Sequence, residues 1–179
     1  MALATQSNST LDSSYRATLH AFTLLQGTAL KPRRDSVALG MFAPAAMDNT
    51  MLPAAWPLRG QVTAGFGQRL DPFSGEGTFH AGLDISAPFG SRVQAAGDGI
   101  VVYVGRDSGY GNEVLVSHGN GLTTKYGHLS KIHAVIGQEV KRGQVIGTVG
   151  MTGRATGPHL HYEVCVNDTP VNPAKYLRH

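Results

Sequence analysis

The sequence predicts a mainly β domain that follows an N-terminal segment with one short helix. Glycine provides 23 of the 179 residues and is scattered between short apolar runs, as in a chain with many tight turns. From Trp56 onward, these runs alternate with Gly-containing turns, and nothing there indicates a long helix or a βαβ unit. The length suffices for one core. We therefore expect an N-terminal extension or linker at 1–55 and one β domain at 56–179.

The first predicted element is a helix over residues 14–26. Ser13 or Ser14 can cap its N-terminus, and Gly27 ends it. Its apolar face recurs at spacings of three and four, through Tyr15, Leu19, Phe22 and Leu25. Residues 31–57 follow neither the helical nor the strand period, so we expect an extended connector there.

Within the β domain, "GIVVYVG" (99–105) is typical of a strand, and a hairpin follows it. "NEVLVSH" (112–118) and "LTTKYGHL" (122–129) meet across "GNG", a composition typical of hairpin turns. Alternation along the second strand predicts that Leu122, Thr124, Tyr126 and His128 share one face. Gly143, between Val140 and Val145, predicts another tight corner.

The last strand follows the Gly157-Pro158 turn in "ATGPHLHYEV". Residues i and i+2 of a strand share a face, so His159 and His161 project side by side while Leu160 enters the opposite layer. By itself this pair fits a polar sheet face as well as it fits a metal site.

Composition narrows the classes of partner and site. The formal charge of +3 suits an anionic partner such as a cell-wall polymer, a membrane surface or nucleic acid. Cys165 is the single cysteine, which excludes an intrachain disulfide and a cysteine-based zinc finger. The N-terminus shows neither a signal-peptide pattern nor a membrane-spanning stretch, so we expect a cytosolic protein or a shortened form of an exported one.

The segment "HAGLD" supplies a histidine and a carboxylate four residues apart, His80 and Asp84. Gly82 between them allows the backbone to bend, so that both side chains can converge. Zinc binds imidazole nitrogen and carboxylate oxygen, and hydrolytic sites use three protein ligands with one open position. His80, Asp84 and one histidine of the HLH pair would supply three ligands, and the open position would hold a water whose pKa is lowered towards about 7.

The other histidines differ in their expected roles, which are catalytic for one and structural for the rest. His128 ends a hairpin strand, and if the sheet brings it beside the HLH pair, two unligated histidines would flank the metal and assist proton transfer and oxyanion binding. His118, at the far end of that hairpin, is expected to be structural. The same holds for three histidines without a ligand partner at suitable spacing: His20, His133 and His179.

Several motifs together resemble the zinc metallopeptidases of the M23 family, also called lysostaphin-type or LytM domains. They are "FGQRLDPFSGEGTFHAGLDISAPFGSRVQAAGDGIVVYVG", "HGNGLTTKYGHLS", "GQEVKRGQVIGTVGMTGRATGPHLHYEV" and "PVNPAKYL". The resemblance covers Trp56 to Leu177 and implies a sandwich-like antiparallel β fold with short hairpins and a groove. It implies one zinc per chain, held by His80, Asp84 and His161, with His128 and His159 as the catalytic histidines.

The same resemblance implies a zinc endopeptidase that cuts cross-links or stem peptides of bacterial peptidoglycan in the cell envelope. It implies a monomer that binds no nucleic acid and reaches a membrane only through an anchor absent from this chain. It does not predict whether a glycine bridge or a D-amino-acid bond is cut.

Four residues outside these motif positions each have two possible roles. Arg69 would contact substrate or form a structural salt bridge, and Glu163 would hydrogen-bond a metal ligand or simply pack in the sheet. Asp48 and Asn49 could supply an autoinhibitory group to the zinc, or belong to a plain linker.

Three other functions would account for parts of this sequence. A non-catalytic LytM-type module would activate other wall hydrolases, although all five motif positions carry the expected residue. A biotinyl or lipoyl carrier would share the hairpin pattern, but it needs a lysine at an exposed tip and has no use for these histidines. A structural zinc site favours four ligands and cysteine, and Cys165 stands alone.

Overall fold

Residues 50–178 are described by the computed structural model, and they contain twelve strands and one 3₁₀ helix. The predicted helix at 14–26, together with His20, Asp48, Asn49 and His179, lies outside the described residues. The first six strands are β1 (Gln61–Ala64), β2 (Gly67–Leu70), β3 (Gly77–His80), β4 (Leu83–Ser86), β5 (Arg92–Gln94) and β6 (Gly99–Asp107). The others are β7 (Gly111–Ser117), β8 (Leu122–Ile132), β9 (Glu139–Val140), β10 (Val145–Val149), β11 (His159–Val166) and β12 (Thr169–Val171), before the 3₁₀ helix Pro173–Lys175.

Ten of these strands form one antiparallel sheet in the order β1-β4-β11-β8-β7-β6-β9. Strand β10 pairs with β8 and β5, and β12 pairs with β11, while β2 and β3 form a separate hairpin. The predicted mainly β, antiparallel fold is confirmed, as is the hairpin of β7 and β8. Gly143, at φ 82°, lies in a turn whose flanking strands β9 and β10 take different partners.

The core lies on one face of the central strands. Alternate residues of β11 enter it, as the strand period requires, and Leu160, Tyr162 and Val164 are fully buried there. The same cluster receives Ile85 from β4, Val114 and Val116 from β7, Leu129 from β8, Val93 from β5 and Ile146 from β10. Strands β5 and β10 therefore share one core with the central strands. The opposite face of β4, β8 and β11 is left for polar side chains.

The prediction that His128 shares a face with Tyr126 is wrong. Tyr126 is fully buried in the core, whereas His128 lies on the opposite face beside His159. The pairing of β7 with β8 shifts register between Asn112 and Val114, so β8 accommodates one extra residue. His128 itself has φ 60°, a left-handed conformation that reverses the direction of its side chain.

Residues 50–55 are hydrogen-bonded to the β domain. The carbonyl of Thr50 accepts from the Asp98 amide at 2.8 Å, and the Ala55 amide donates to Ala96 at 3.0 Å. The Ala54 carbonyl accepts from the Arg178 amide at 2.8 Å. The division at residue 56 stays a prediction. Within residues 50–178, no helix has the length and apolar character needed to span a bilayer.

Candidate metal centre and active site

Three predicted ligands converge on the polar face of the sheet. His80 ends β3, while Asp84 and His161 are direct partners on β4 and β11. The His80 Nε2 atom lies 3.1 Å from Asp84 Oδ1 and 3.2 Å from His161 Nδ1, and the last two atoms are 2.8 Å apart. Tetrahedral ligands at about 2.0–2.1 Å from a metal lie about 3.3 Å apart. Spacing and donor types therefore fit one small divalent cation.

Gly82 is needed here for space rather than for backbone bending. A Cβ atom at this position would lie 2.4 Å from the Tyr162 carbonyl oxygen and 3.0 Å from His161 Cε1. The chain between His80 and Asp84 thus runs directly against β11, which brings both side chains to His161. No other set of three potential metal-binding side chains converges in this way within residues 50–178.

The second ring nitrogen of each histidine predicted to be a ligand, His80 and His161, also has a hydrogen-bond partner. His80 Nδ1 lies 2.7 Å from the Gly65 carbonyl oxygen, which can only accept, so this nitrogen carries the proton. His161 Nε2 lies 2.9 Å from Glu163 Oε1. Both contacts aim the inward nitrogens, His80 Nε2 and His161 Nδ1, at Asp84 Oδ1, where each can bind a metal once it carries no proton. Of the two interpretations of Glu163, the geometry supports the hydrogen bond to a ligand.

Glu163 belongs to a buried network that sequence reasoning missed. It is 1% exposed, accepts from the Tyr110 hydroxyl at 2.8 Å and pairs with Lys125 Nζ at 3.5 Å. Lys125 also lies 3.9 Å from the centre of the Tyr110 ring. Burial by itself would raise the pKa of Glu163, but the hydrogen bond from His161 and the charge of Lys125 outweigh it and lower the pKa.

Asp84 is the electrostatic centre of the site. Burial by itself would raise its pKa, but His161 and His80, in the state where their inward nitrogens carry protons, hold the pKa far below the ordinary value through hydrogen bonds and charge. Its second oxygen, Oδ2, lies 3.2 Å from Arg69 Nη1 on β2. The salt-bridge interpretation of Arg69 is therefore supported, while contact with a substrate stays a prediction.

His128 and His159 lie beside the three predicted ligands without joining them. Their ring centres are 4.6 Å apart, and His159 Nε2 is 3.8 Å from Asp84 Oδ1. His128 Nδ1 is held by the Thr152 carbonyl and His159 Nδ1 by the Gly157 carbonyl, each at 2.8 Å. Because carbonyl oxygens only accept, each ring carries its proton on Nδ1 and keeps a free lone pair on Nε2.

Burial is the main reason why the pKa of His128 falls to about 4. The hydrogen bond to Thr152 opposes this fall, while the charges of His159 and His161 add to it. At neutral pH His128 is therefore uncharged and able to accept a proton, which is what a general base requires.

Two histidines lie apart from the site, in agreement with the sequence. His118 is 2% exposed, and its ring nitrogens bind the Asp98 carbonyl at 2.6 Å and the Thr124 hydroxyl at 2.8 Å, so it is structural. His133 is exposed.

Sequence reasoning did not find Tyr110 and Lys125, because they lie in segments without a histidine-carboxylate pattern. Lys125 reaches Glu163 because the two residues are direct partners on β8 and β11, a register that the sequence does not display.

Comparison with known proteins gives one family for this architecture. Residues 78–173 match the model of Peptidase family M23. The DD-carboxypeptidase/endopeptidase Mpg of Neisseria meningitidis is 47% identical over 113 residues, which cover 63% of this chain and 26% of that protein. The peptidoglycan DD-endopeptidase ShyA of Vibrio cholerae is 48% identical over 108 residues, covering 60% and 25%. The chain thus spans about a quarter of the length of these curated relatives.

A solved structure supports the same similarity. The crystal structure of a zinc-containing peptidase from Vibrio cholerae matches with a TM-score of 0.61 and 41% identity. The match covers 69% of this chain and 38% of that one.

Proposed function

This chain belongs to peptidase family M23, and on that premise we propose that it is a zinc-dependent endopeptidase of the bacterial cell envelope. Its substrates are peptide cross-links or stem peptides of peptidoglycan. The proposed site comprises His80, Asp84 and His161 as ligands of one zinc ion, with His128 and His159 as catalytic histidines.

The convergence of His80 Nε2, Asp84 Oδ1 and His161 Nδ1 carries this proposal. Three ligands with an open coordination position are typical of catalytic zinc, whereas structural sites close the shell with four. Cys165 is the only cysteine, so a thiolate-rich structural site is impossible. The solved zinc-containing relative supports zinc as the metal.

Zinc would supply Lewis-acid chemistry, polarising the scissile carbonyl and making a water molecule acidic. The chain's own residues then divide the remaining work. Asp84 provides negative charge that balances the cation, and Arg69 holds the outer oxygen of this carboxylate in place. Glu163 fixes the tautomer and orientation of His161.

His128 is suited to take a proton from the attacking water. Its Nδ1–H is bound to the Thr152 carbonyl, and its low pKa keeps Nε2 unprotonated at neutral pH. His159 Nδ1–H is likewise bound to a backbone carbonyl, that of Gly157. Once either ring is protonated, it can donate to the oxyanion or to the departing amine, so the pair can serve both halves of amide hydrolysis.

The names of the two curated relatives suggest which bond to test first. Both are described as DD-endopeptidases or DD-carboxypeptidases, which indicates a bond between two D-configured centres. We propose the same class for this chain, in preference to a glycine bridge. The alternative function is a non-catalytic module that binds peptidoglycan and activates other hydrolases.

One experiment separates these two functions. The protein is purified without chelator, its zinc is measured, and it is incubated with peptidoglycans of defined bridge type whose released fragments are identified by mass. We expect about one zinc per chain, loss of turnover with a strong chelator and return of turnover on adding zinc. Zinc-loaded protein that binds peptidoglycan without releasing fragments would establish the binding module instead.

The N-terminal residues require a separate test. If Asp48 or Asn49 supplies an inhibitory group, replacing both with alanine raises the hydrolysis rate of the full chain. Equal rates for the two proteins would dispose of the autoinhibitory role and leave the linker interpretation.

A further inference from the structure

Both catalytic histidines are oriented by one loop, Met151–Gly157. The Thr152 carbonyl near its start accepts from His128, and the Gly157 carbonyl at its end accepts from His159, each at 2.8 Å. The two carbonyls are five residues apart in sequence. A displacement of this loop would therefore disturb the hydrogen bonds that orient both imidazole rings.

Two attachments of the loop are internal to the domain. The Thr152 hydroxyl accepts from the Asn112 amide and donates to the Leu129 carbonyl, both at 2.9 Å. The Arg154 amide donates to the Gly109 carbonyl at 2.8 Å. These contacts hold the start and the middle of the loop against the β6–β7 turn and β8.

A third attachment crosses to the β2–β3 hairpin. Arg154 Nη2 donates to Asp71 Oδ1 at 2.7 Å, and its guanidinium lies 4.7 Å from the centre of the Phe73 ring. Asp71 also accepts from the amides of Phe73 and Ser74, at 2.8 and 2.9 Å, so it is itself fixed in the turn. Those backbone hydrogen bonds are the largest cause of its lowered pKa, and the charge of Arg154 lowers the pKa further.

We propose that Arg154 and Asp71 are positioning residues for His128 and His159, an inference that rests on the proposed function. The ion pair braces the loop whose carbonyls orient both histidines against the hairpin whose strand β2 holds Asp84 through Arg69. The ion pair thus fixes the positions of His128 and His159 relative to the proposed metal ligands. Exposed ion pairs contribute little to stability, so the brace can be removed without unfolding the domain.

The experiment compares three variants of the full chain with one control. Arg154→Ala removes the brace, Arg154→Lys keeps the charge, and Asp71→Asn weakens the pair while its amide oxygen still caps the turn. Lys141→Ala is the control, because it breaks an exposed ion pair of 3.1 Å with Asp98, which lies outside the site. For each protein, zinc content, kcat, KM and the imidazole ¹⁵N spectrum are measured.

We expect Arg154→Ala and Asp71→Asn to lower kcat roughly tenfold, because small misplacements of catalytic groups are costly in rate. Their KM and zinc content should stay within twofold of the wild-type values. In the spectra of both variants, His128 and His159 should shift from the single Nδ1–H tautomer towards a mixture. Arg154→Lys should recover most of the lost kcat, and Lys141→Ala should behave as wild type.

Two results would refute the proposal that Arg154 and Asp71 position the histidines. One is an unchanged kcat and tautomer pattern in Arg154→Ala, and the other is a rise in KM alone, which would mean that Arg154 contacts substrate. The spectra need no substrate, so they test the brace even if the wild-type protein turns over nothing. Absent turnover in the wild-type protein would instead count against the proposed function.

Discussion

Replacing Glu163 with glutamine tests the buried network behind His161. The carboxylate faces donors at both oxygens: Oε1 accepts from His161 at 2.9 Å and from Tyr110 at 2.8 Å, while Oε2 faces Lys125 at 3.5 Å. Glutamine has the same shape, but one oxygen becomes an NH₂ group. In either orientation of the amide, a donor then faces a donor in a site that is 1% exposed.

The expected loss is in metal affinity. Hydrogen bonds to a charged partner are about twice as strong as neutral ones, and changing such a residue behind a metal ligand costs about 10- to 100-fold in affinity. This range corresponds to about 1.4–2.8 kcal/mol of binding free energy. We therefore expect the zinc Kd of Glu163→Gln to rise by that factor.

The assay is a competition titration of metal-free protein with zinc against a chromogenic chelator at fixed pH. Circular dichroism verifies that each variant is folded. Glu139→Gln serves as the matched control, since Glu139 is exposed on β9. A folded Glu163→Gln protein that binds zinc within twofold of wild type would refute the reasoning, because Glu163 would then only fill space.

Three further predictions concern neighbouring groups. Asp84→Ala and His161→Ala should lose the metal, whereas His128→Ala should keep it and lower kcat by roughly 100-fold or more, as metal analysis beside turnover would reveal. His128→Gly should be more stable than His128→Ala by about 1 kcal/mol in urea unfolding, because φ is 60° there; equal stabilities would contradict the left-handed backbone. Burial raises the pKa of Glu113 to about 7, so the folded state holds a proton that the unfolded chain releases. Wild-type stability should therefore fall between about pH 4.5 and 7, by up to about 3 kcal/mol, and Glu113→Gln should remove that slope in unfolding measured across this range.

Local patterns were sufficient for much of the fold. The β7–β8 hairpin follows from alternation and the "GNG" turn, and the parity of His159, His161 and Glu163 follows from the strand period. These features depend on residues close in sequence, so they can be predicted from it.

The position of His128 depends on contacts that the sequence does not display. Its left-handed backbone is held by its amide bond to the Tyr110 carbonyl at 2.7 Å and by its ring bond to Thr152 at 2.8 Å. Both partners come from other segments. Simple alternation therefore assigned the wrong face, although the motif resemblance selected the residue.

The interpretation of Glu163 needed tertiary information for the same reason. Its parity placed it beside His161, but parity alone does not distinguish a hydrogen-bonded carboxylate from ordinary packing. The distinction depends on Tyr110 and Lys125, which are 53 and 38 positions earlier in the sequence. Their approach is determined by the order of strands in the sheet.

The irregular pairing of β7 with β8 arises from one extra residue in β8, and deletion of a single codon would remove it. Asn112 pairs with Leu129 and Val114 with Tyr126, so two residues of β8 face Glu113 alone. An in-frame deletion of His128 would leave Gly127 opposite Glu113 and restore an unbroken ladder, with the three ligand side chains still encoded. Under the proposed function, such a deletion would remove the proton acceptor and leave the proposed metal ligands, so the more regular sheet would belong to the form without turnover.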